Sequence, residues 1–175
     1  MYFKEQSVIK TKSSYIVVKQ SSIHNKGVFA KKDIPEATRI IEYVGERITK
    51  KESEIRSEIP LKKSKKSIKH GAVYIFELNK RYDIDGNVPY NTARFINHTC
   101  EPNCETLLIS GHIWIVSIRD ITKGEELSYN YGYSFDDYER HKCYCNKTSC
   151  VGYILNEIHW HKVQHKKRKI KKPAK

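Results

Sequence analysis

The octet CYCNKTSC at residues 143–150 constrains this chain more than any other stretch, because it holds three of the five cysteines. Two cysteines separated by one residue are badly placed to bond each other, whereas both side chains readily point into one tetrahedral site. The spacing of Cys143, Cys145 and Cys150 therefore predicts a structural zinc site. The alternatives are a disulfide and buried free thiols, and a disulfide is disfavoured in a reducing compartment.

A closed zinc site needs a fourth ligand, and the sequence offers three candidates. These are Cys100 and Cys104, both within NHTCEPNC, and His141. Any of them would pin the C-terminal part of the chain onto an earlier segment. Because zinc binding and ordering of that segment are one equilibrium, we expect the metal to stabilise the fold. A site made of four thiolates leaves no open coordination position for catalysis.

The net charge of +13 is concentrated in two segments of the 175-residue chain. Residues 50–69 carry eight basic and three acidic side chains, and residues 162–175 carry eight basic and no acidic ones, which leaves 17 of each sign elsewhere. Such cationic segments commonly meet polyanions, so we expect residues 162–175 to contact nucleic acid. A solvated tail that aids solubility is the alternative.

Two exclusions follow from the hydropathy of the sequence. No run of 18 apolar residues occurs, so we expect no membrane span. The first residues, MYFKEQ, are polar and charged and do not resemble a secretory signal. We therefore expect a protein kept in a reducing compartment.

Short β-branched and aromatic runs dominate the secondary-structure signal. Thr49 and Glu52 have the spacing of a capping box, which predicts a short helix that ends before Pro60 and is followed by a loop. Ser110–Gly111 predicts a hairpin turn. No internal repeat or second domain is visible, so we expect one β-rich domain with some helix. The predicted strands are 14–20, 27–32, 38–48, 72–79, 81–85, 105–110, 112–118 and one after the turn at Lys123–Gly124.

Four stretches, taken together and in this order, resemble SET-domain protein lysine methyltransferases with a zinc-binding post-SET segment. Their nearest likeness is to the trithorax or mixed-lineage-leukaemia type and to small bacterial SET proteins. The stretches are SIHNKGVFA (22–30), ARFINHTCEPNC (93–104), GEELSYNYGY (124–133) and CYCNKTSCVGYI (143–154). The resemblance implies an N-terminal extension at 1–14, a SET domain at 15–134, a post-SET zinc segment at 135–157 and a basic tail at 158–175.

The resemblance implies a fold of short curved sheets with a knot-like threading, in which RFINH and ELSYNY meet. It also implies that Cys100 is the fourth zinc ligand and that Cys104 is left over. The implied reaction transfers a methyl group from S-adenosylmethionine to a lysine side chain. The implied cofactor-binding residues, each of which could instead be part of an ordinary turn or core, are His24, Asn25, Lys26, Gly27, Tyr74, Arg94, Asn97, His98, Tyr131, Tyr144 and Val151.

Three aromatic residues are implied to form the catalytic channel, although plain core packing is the alternative for each. Tyr131 matches the tyrosine that orients the reacting groups. Tyr129 matches the position that limits how many methyl groups fit, so we expect mono- or dimethylation. Phe76 is expected in the channel wall, and Tyr133 is a further candidate. The chain departs from the usual pattern at Asn130, where an aspartate is common, at Thr99, where a serine is more common, and at Asn25, where a glycine is often found.

Two functions are compatible with these features. The first is a monomeric lysine methyltransferase that acts on a basic protein such as a histone or a histone-like protein. The second is a catalytically weak SET scaffold that binds nucleic acid or chromatin. Retention of Asn97, His98 and Tyr131 favours the enzyme. The sequence leaves three locations open: nuclear chromatin, a bacterial cytoplasm, and a host nucleus reached by a delivered effector.

Overall fold

The computed structural model describes residues 11–64, 73–136 and 138–164. Most of the predicted loop after the helix, most of the basic segment 162–175 and the first ten residues lie outside the described residues. The described residues form ten short strands, the α-helix α1, three short 3-10 helices and a further helical run at 160–164. The strands are β1 (Ile16–Gln20), β2 (Lys26–Ala30), β3 (Arg39–Tyr43), β4 (Glu46–Thr49), β5 (Ile75–Glu77), β6 (Tyr82–Asp85), β7 (Asn97–His98), β8 (Cys104–Ile109), β9 (His112–Ser117) and β10 (Glu126–Tyr129); the helices are α1 (Lys50–Ser64) and the 3-10 turns Thr92–Phe95, Tyr138–Arg140 and Glu157–His159.

The strands form three small sheets, with the orders β1-β2-β10-β7, β3-β9-β8 and β4-β6-β5. Nearly every pairing is antiparallel, but β7 and β10 pair in parallel, with Asn97 opposite Ser128 and His98 opposite Tyr129. This pairing is where the sequence predicts that RFINH meets ELSYNY. The expected β-rich fold of short sheets is confirmed, and the pairing brings two distant motifs side by side.

One apolar cluster fills the space between the sheets. Its centre is made of aliphatic side chains that are almost completely buried, such as Val28, Ile115 and Leu127. Burial on this scale is the main stabilising contribution to the fold, at roughly 1.5–3 kcal/mol for each large side chain. Tyr43 and Tyr129 lie at one edge of the cluster. The core therefore packs against one side of the aromatic side chains of Tyr43 and Tyr129.

The predicted hairpin at Ser110–Gly111 is confirmed. Both residues have positive φ, +51° and +82°, which is the backbone conformation that tight hairpin turns require. The strand predicted at 38–48 is two strands instead. The chain leaves one sheet after Tyr43 and enters another at Glu46, and Gly45 lies so close to the Asp85 carbonyl that no side chain would fit there.

The predicted helix end at Pro60 is wrong, because α1 continues to Ser64. The helix continues past Pro60 although a proline removes one helical hydrogen bond and its ring crowds the carbonyl one turn earlier. The beginning is as predicted: the amide of Glu52 donates to Oγ1 of Thr49 at 3.3 Å. Arg56 fastens α1 to the third sheet through ion pairs with Glu46, at 2.8 Å, and Asp85, at 2.7 Å.

Candidate active site and metal centre

The side-chain amide of Asn97 organises the turn that precedes β2. Its Nδ2 lies 3.1 Å from the Lys26 carbonyl, 3.5 Å from the His24 carbonyl and 2.8 Å from Oε1 of Glu126. Asn97 is buried, whereas His24, Asn25 and Lys26 are exposed, and Asn25 has a positive φ of +41°. The predicted residues of the turn and the predicted asparagine are thus in direct contact.

Glu126 is a member of this network that sequence reasoning missed. Its carboxylate accepts hydrogen bonds from Oγ of Ser21 at 2.7 Å and from Asn97. Gly27 packs against it, because a Cβ at Gly27 would overlap Oε1 of Glu126 and come within 2.9 Å of Cβ of Ser21. The only available signal was the buried apolar neighbour Leu127, which places Glu126 at the start of a strand. The network forms a polar cradle beside β2 and β7.

His98 connects the aromatic cluster to the cysteines. Its Nδ1 accepts a hydrogen bond from the amide of Tyr131 at 3.2 Å, so the ring proton lies on Nε2. Nε2 faces Sγ of Cys100 at 3.8 Å. Because His98 is 5% exposed, both contacts are shielded from water. The imidazole of His98 therefore links the backbone of Tyr131 to Cys100.

Four aromatic side chains form a continuous row, called here the aromatic channel. Its successive ring centroids are 4.4 Å apart for Tyr43 and Phe76, 5.7 Å for Phe76 and Tyr129, and 4.8 Å for Tyr129 and Tyr131. The Tyr131 hydroxyl donates to the carbonyl of Ile96 at 2.8 Å. The predicted Phe76, Tyr129 and Tyr131 are brought together, and Tyr43, which was not predicted, completes the row.

The aromatic channel disfavours charge. Burial raises the pKa of Tyr43, Tyr129 and Tyr131 well above the usual range, and the neighbouring phenols add to this effect. All three phenols are therefore neutral at physiological pH. Tyr43 is held by a hydrogen bond from its hydroxyl to the Tyr74 carbonyl at 2.8 Å, which also ties the predicted Tyr74 to the edge of the row.

Four cysteines converge beside His98. The Sγ atoms of Cys100, Cys143, Cys145 and Cys150 all lie within 4.8 Å of one another, and those of Cys100 and Cys143 are 3.8 Å apart. The hydrogen bond from the Cys143 thiol lowers the pKa of Cys100 to about 4, against the opposing effect of burial. The same contact raises the pKa of Cys143. Four sulfur donors at this spacing suit a tetrahedral zinc ion.

The other two candidates for a fourth ligand are elsewhere. Cys104 begins β8 and is 1% exposed in the main core, where burial raises the pKa of its thiol to about 12. The ring of His141 stacks on Tyr133 with centroids 3.8 Å apart. Neither belongs to the cluster that the four converging cysteines form.

Comparison with known proteins agrees with this geometry. Residues 25–132 match the SET domain family. The chain belongs to this family. The predicted resemblance is thus confirmed, and the matched range contains Asn97, Glu126, His98 and the aromatic channel.

The relatives of this SET domain are much longer proteins. The chain is 35% identical over 159 residues, 88% of its length, to histone-lysine N-methyltransferase trithorax of Drosophila virilis. It is 37% identical over 145 residues to the H3 lysine-4 specific histone-lysine N-methyltransferase of Saccharomyces cerevisiae, and 38% identical over 142 residues to the variant-silencing SET domain-containing protein of Plasmodium falciparum, in each case 79% of the chain. The chain spans only 4%, 13% and 6%, respectively, of these relatives.

The remaining predicted residues of the SET domain and the segment after it flank these groups. Arg94 lies over the Phe95 ring at 4.7 Å, and its buried Nε has no hydrogen-bond partner among the described residues. Val151 is buried, and Tyr144 is 53% exposed between two of the clustered cysteines. An exposed aromatic ring and an unpartnered buried donor are groups that a bound polar ligand can cover.

Two departures from the usual SET pattern are compatible with the site. Thr99 is buried, and its hydroxyl is 3.1 Å from that of Ser128, as a serine hydroxyl would be. Asn25 adopts the left-handed conformation that its side chain tolerates. Tyr133, a further candidate for the channel wall, stacks on His141, and its phenol contributes to the raised pKa of Tyr43, Tyr129 and Tyr131. Among the described residues, no helix has the length and apolar character to cross a membrane.

Proposed function

We propose that this chain is an S-adenosylmethionine-dependent protein-lysine N-methyltransferase. The observation that supports this most strongly is the contiguity of the Asn97 cradle, His98 and the aromatic channel within the SET domain. A histone or histone-like protein is the proposed substrate, because several relatives are named histone-lysine N-methyltransferases. No observation favours the alternative of a nucleic-acid-binding scaffold.

The residues of the cradle fit the methionine end of the cofactor. The backbone carbonyls of His24 and Lys26 are held by the side-chain amide of Asn97, and Gly27 permits the close approach of Glu126 to this turn. The unpartnered Nε of Arg94 offers an additional donor near this end. When bound, S-adenosylmethionine supplies an electrophilic methyl group on a sulfonium sulfur. Tyr144 and Val151 are proposed to cover its adenine.

The aromatic channel fits an uncharged amine. The desolvation that raises the pKa of its phenols lowers that of a lysine amine that enters it, so the nucleophilic neutral form is favoured. Tyr131 is held by its own amide and hydroxyl. Its raised pKa keeps the phenol protonated, so no phenolate is present to act as a base and the proposed role of Tyr131 is to orient the amine. Alignment is thus the main catalytic contribution. The hydroxyl of Tyr129 narrows the space, which favours mono- or dimethylation.

The four clustered cysteines are proposed to hold structural zinc. Their thiolates would occupy every coordination position, so the metal orders the segment that carries Tyr144 and Val151 and takes no part in methyl transfer. The Nε2–H of His98 faces Cys100 and is placed to donate to its thiolate. Formation of the metal site would therefore support the position of Tyr131 through the imidazole.

The variant Tyr131→Phe tests the proposal. We expect it to bind S-adenosylmethionine within about twofold of the wild type in calorimetry, and to lose about a hundredfold in methylation of core histones measured by mass spectrometry, because the reacting groups are no longer aligned. Tyr82→Phe, which alters a phenol under the Arg47 guanidinium in the third sheet, serves as the control and should keep most of the activity. If the wild type binds no cofactor while it binds DNA tightly, the proposal is wrong.

A further inference from the structure

The asparagine between the two channel tyrosines holds two backbone groups at once. Oδ1 of Asn130 accepts a hydrogen bond from the amide of Gly132 at 2.9 Å, and its Nδ2 donates to the carbonyl of Leu155 at 3.2 Å. Because one partner is a donor and the other an acceptor, the orientation of the carboxamide is fixed. A carboxylate would keep the first bond and would set two acceptors against each other at the second.

The carbonyl of Leu155 lies in a second apolar cluster, made mainly by residues after the SET domain. Leu155 is completely buried there with Tyr138 and Val163. Its carbonyl also accepts a hydrogen bond from Nε1 of Trp160 at 3.0 Å. Residues 158–164, which the sequence assigns to the basic tail, therefore pack against the protein as far as Val163, and Asn130 reaches the centre of this packing.

A second contact lies beside the first. The amide of Asn156 donates to the carbonyl of Tyr133 at 3.0 Å. Between this contact and Asn130 is Gly132, whose φ of +66° gives the chain a sharp turn directly after Tyr131. The bond from Gly132 to Asn130 stabilises that turn. Displacement of residues 155–156 would consequently pull on the backbone that carries Tyr131.

We propose that Asn130 is a positioning residue that fastens residues 153–164 to the chain directly after β10 and thereby fixes Tyr131. None of the four clustered cysteines takes part in the hydrogen bonds of Asn130 or in those of the Leu155 carbonyl. The connection between Asn130 and residues 153–164 is argued from the contacts alone. Its expected effect on kcat rests on the proposed methyltransferase function. The departure from aspartate at this position is explained by the need for a donor to Leu155.

The decisive variant is Asn130→Asp, which keeps the size and the acceptor and removes the donor. We expect the amide of Asn156 to exchange its hydrogen about tenfold faster than in the wild type, with and without a zinc chelator, because one hydrogen bond to the adjacent carbonyl is lost. Asn156→Asp is the matched control. Its side chain only accepts, from the amide of Ile158, so an aspartate there preserves the contact and the exchange at Tyr133 and Leu155 should not change.

Kinetics separates positioning from general loss of structure. Asn130→Asp should lower kcat for a histone peptide about tenfold while the Kd for S-adenosylmethionine stays within about twofold, since the Asn97 cradle does not contact Asn130. Asn156→Asp should leave both values unchanged. If cofactor affinity falls together with kcat, Asn130 only maintains the fold.

Four further outcomes settle the proposal. Wild-type exchange at Asn156 in the Asn130→Asp variant refutes the connection, and faster exchange with unchanged kcat refutes the positioning of Tyr131. Should Asn130→Asp fail to fold, Trp160→Phe removes the other donor to the same carbonyl and must accelerate exchange at Asn156, or the connection is refuted. An inactive wild type would refute the proposed function alone, because hydrogen exchange still decides whether the connection exists.

Discussion

The aromatic channel and the cysteine cluster are neighbours that are held together by different forces. Tyr43 and Tyr129 are 3% and 5% exposed and pack against the main apolar core. The segment with Cys143, Cys145 and Cys150 has no strand or helix of its own among the described residues, and one isolated bridge, between Lys142 and Tyr153, closes it. One region is stabilised by packing and the other depends on its ligand.

This difference assigns separate tasks to the two regions. A channel that is complete through packing keeps its phenols aligned before any ligand arrives. A segment that four converging thiols draw together would become ordered on metal binding, since metal binding and folding are one equilibrium. His98 touches both regions, through Tyr131 and Cys100, and is the contact through which either can influence the other.

The largest effect is expected from breaking the cysteine cluster. Chelation of the metal, or Cys143→Ser, should reduce cofactor affinity by about a hundredfold, because residues 143–152 no longer order over the adenine. The aromatic channel should persist, with near-ultraviolet circular dichroism of the tyrosines close to that of the wild type. Isothermal calorimetry and metal analysis by mass spectrometry measure the two quantities.

Cys104→Ala is the control for this experiment. Cys104 lies in the main core and does not belong to the cluster, so the variant should keep one zinc per chain and normal cofactor affinity while its thermal stability falls. Loss of metal in this variant would mean that the fourth ligand has been assigned wrongly. Loss of the tyrosine signal on chelation would show that the two regions are not separately stabilised.

The next effect concerns the cradle, which is held by hydrogen bonds of the Asn97 and Glu126 side chains. Gly27→Ala places a methyl group on Glu126 and Ser21, so the turn must shift, and we expect the Kd for S-adenosylmethionine to rise about tenfold. Gly45→Ala is the matched control, because its methyl group would meet the Asp85 carbonyl in another sheet. Both variants should lose stability, whereas only Gly27→Ala should weaken cofactor binding. If Gly27→Ala and the wild type bind S-adenosylmethionine with equal affinity, Gly27 does not belong to the cofactor site.

A smaller and more selective effect is expected inside the aromatic channel. Tyr129→Phe removes one hydroxyl and keeps the ring against Phe76, so the packing is preserved and the space beside the amine increases. We expect a several-fold rise in the fraction of trimethylated product, with little change in total turnover. Mass spectrometry of a peptide after prolonged reaction measures the fraction. A product distribution equal to that of the wild type would exclude Tyr129 from control of methyl number.

The sequence predicted the parts of this molecule that local patterns encode. C-x-C-x4-C predicts a cluster of thiols because the spacing alone limits the geometry, and Ser110–Gly111 predicts a turn because few residues tolerate positive φ. The family resemblance added Cys100 and the meeting of RFINH with ELSYNY, which the pairing of β7 with β10 bears out. The choice between Cys100 and Cys104 required this resemblance, since spacing favours neither.

What the sequence missed depends on tertiary contacts. Tyr43 and Glu126 lie far along the chain from their partners Phe76 and Asn97. Glu126 stands in ELSYNY, which the resemblance brings to RFINH, but the pairing of its side chain with Asn97 was not predicted, and Tyr43 belongs to no such motif. The helix through Pro60 was missed for a related reason. Local propensity disfavours proline in a helix, but the ion pairs of Arg56 hold α1 on the third sheet.

The smallest effect on methylation is expected from the basic residues beyond the second apolar cluster. Because Val163 is buried in that cluster, a variant ending at Gln164 removes seven of the basic residues and leaves the packing of 155–164 intact. Methylation of a short peptide should stay within about twofold of the full chain, whereas DNA affinity should fall and the slope of log K against log salt should become shallower by up to about 6.

A variant ending at Trp160, which also removes Val163, should in addition lower kcat if the second cluster supports Tyr131 through Asn130. Equal DNA retardation by the full chain and the Gln164 variant would assign these lysines to solubility, and equal kcat for the two truncations would show that the second cluster does not act on the channel.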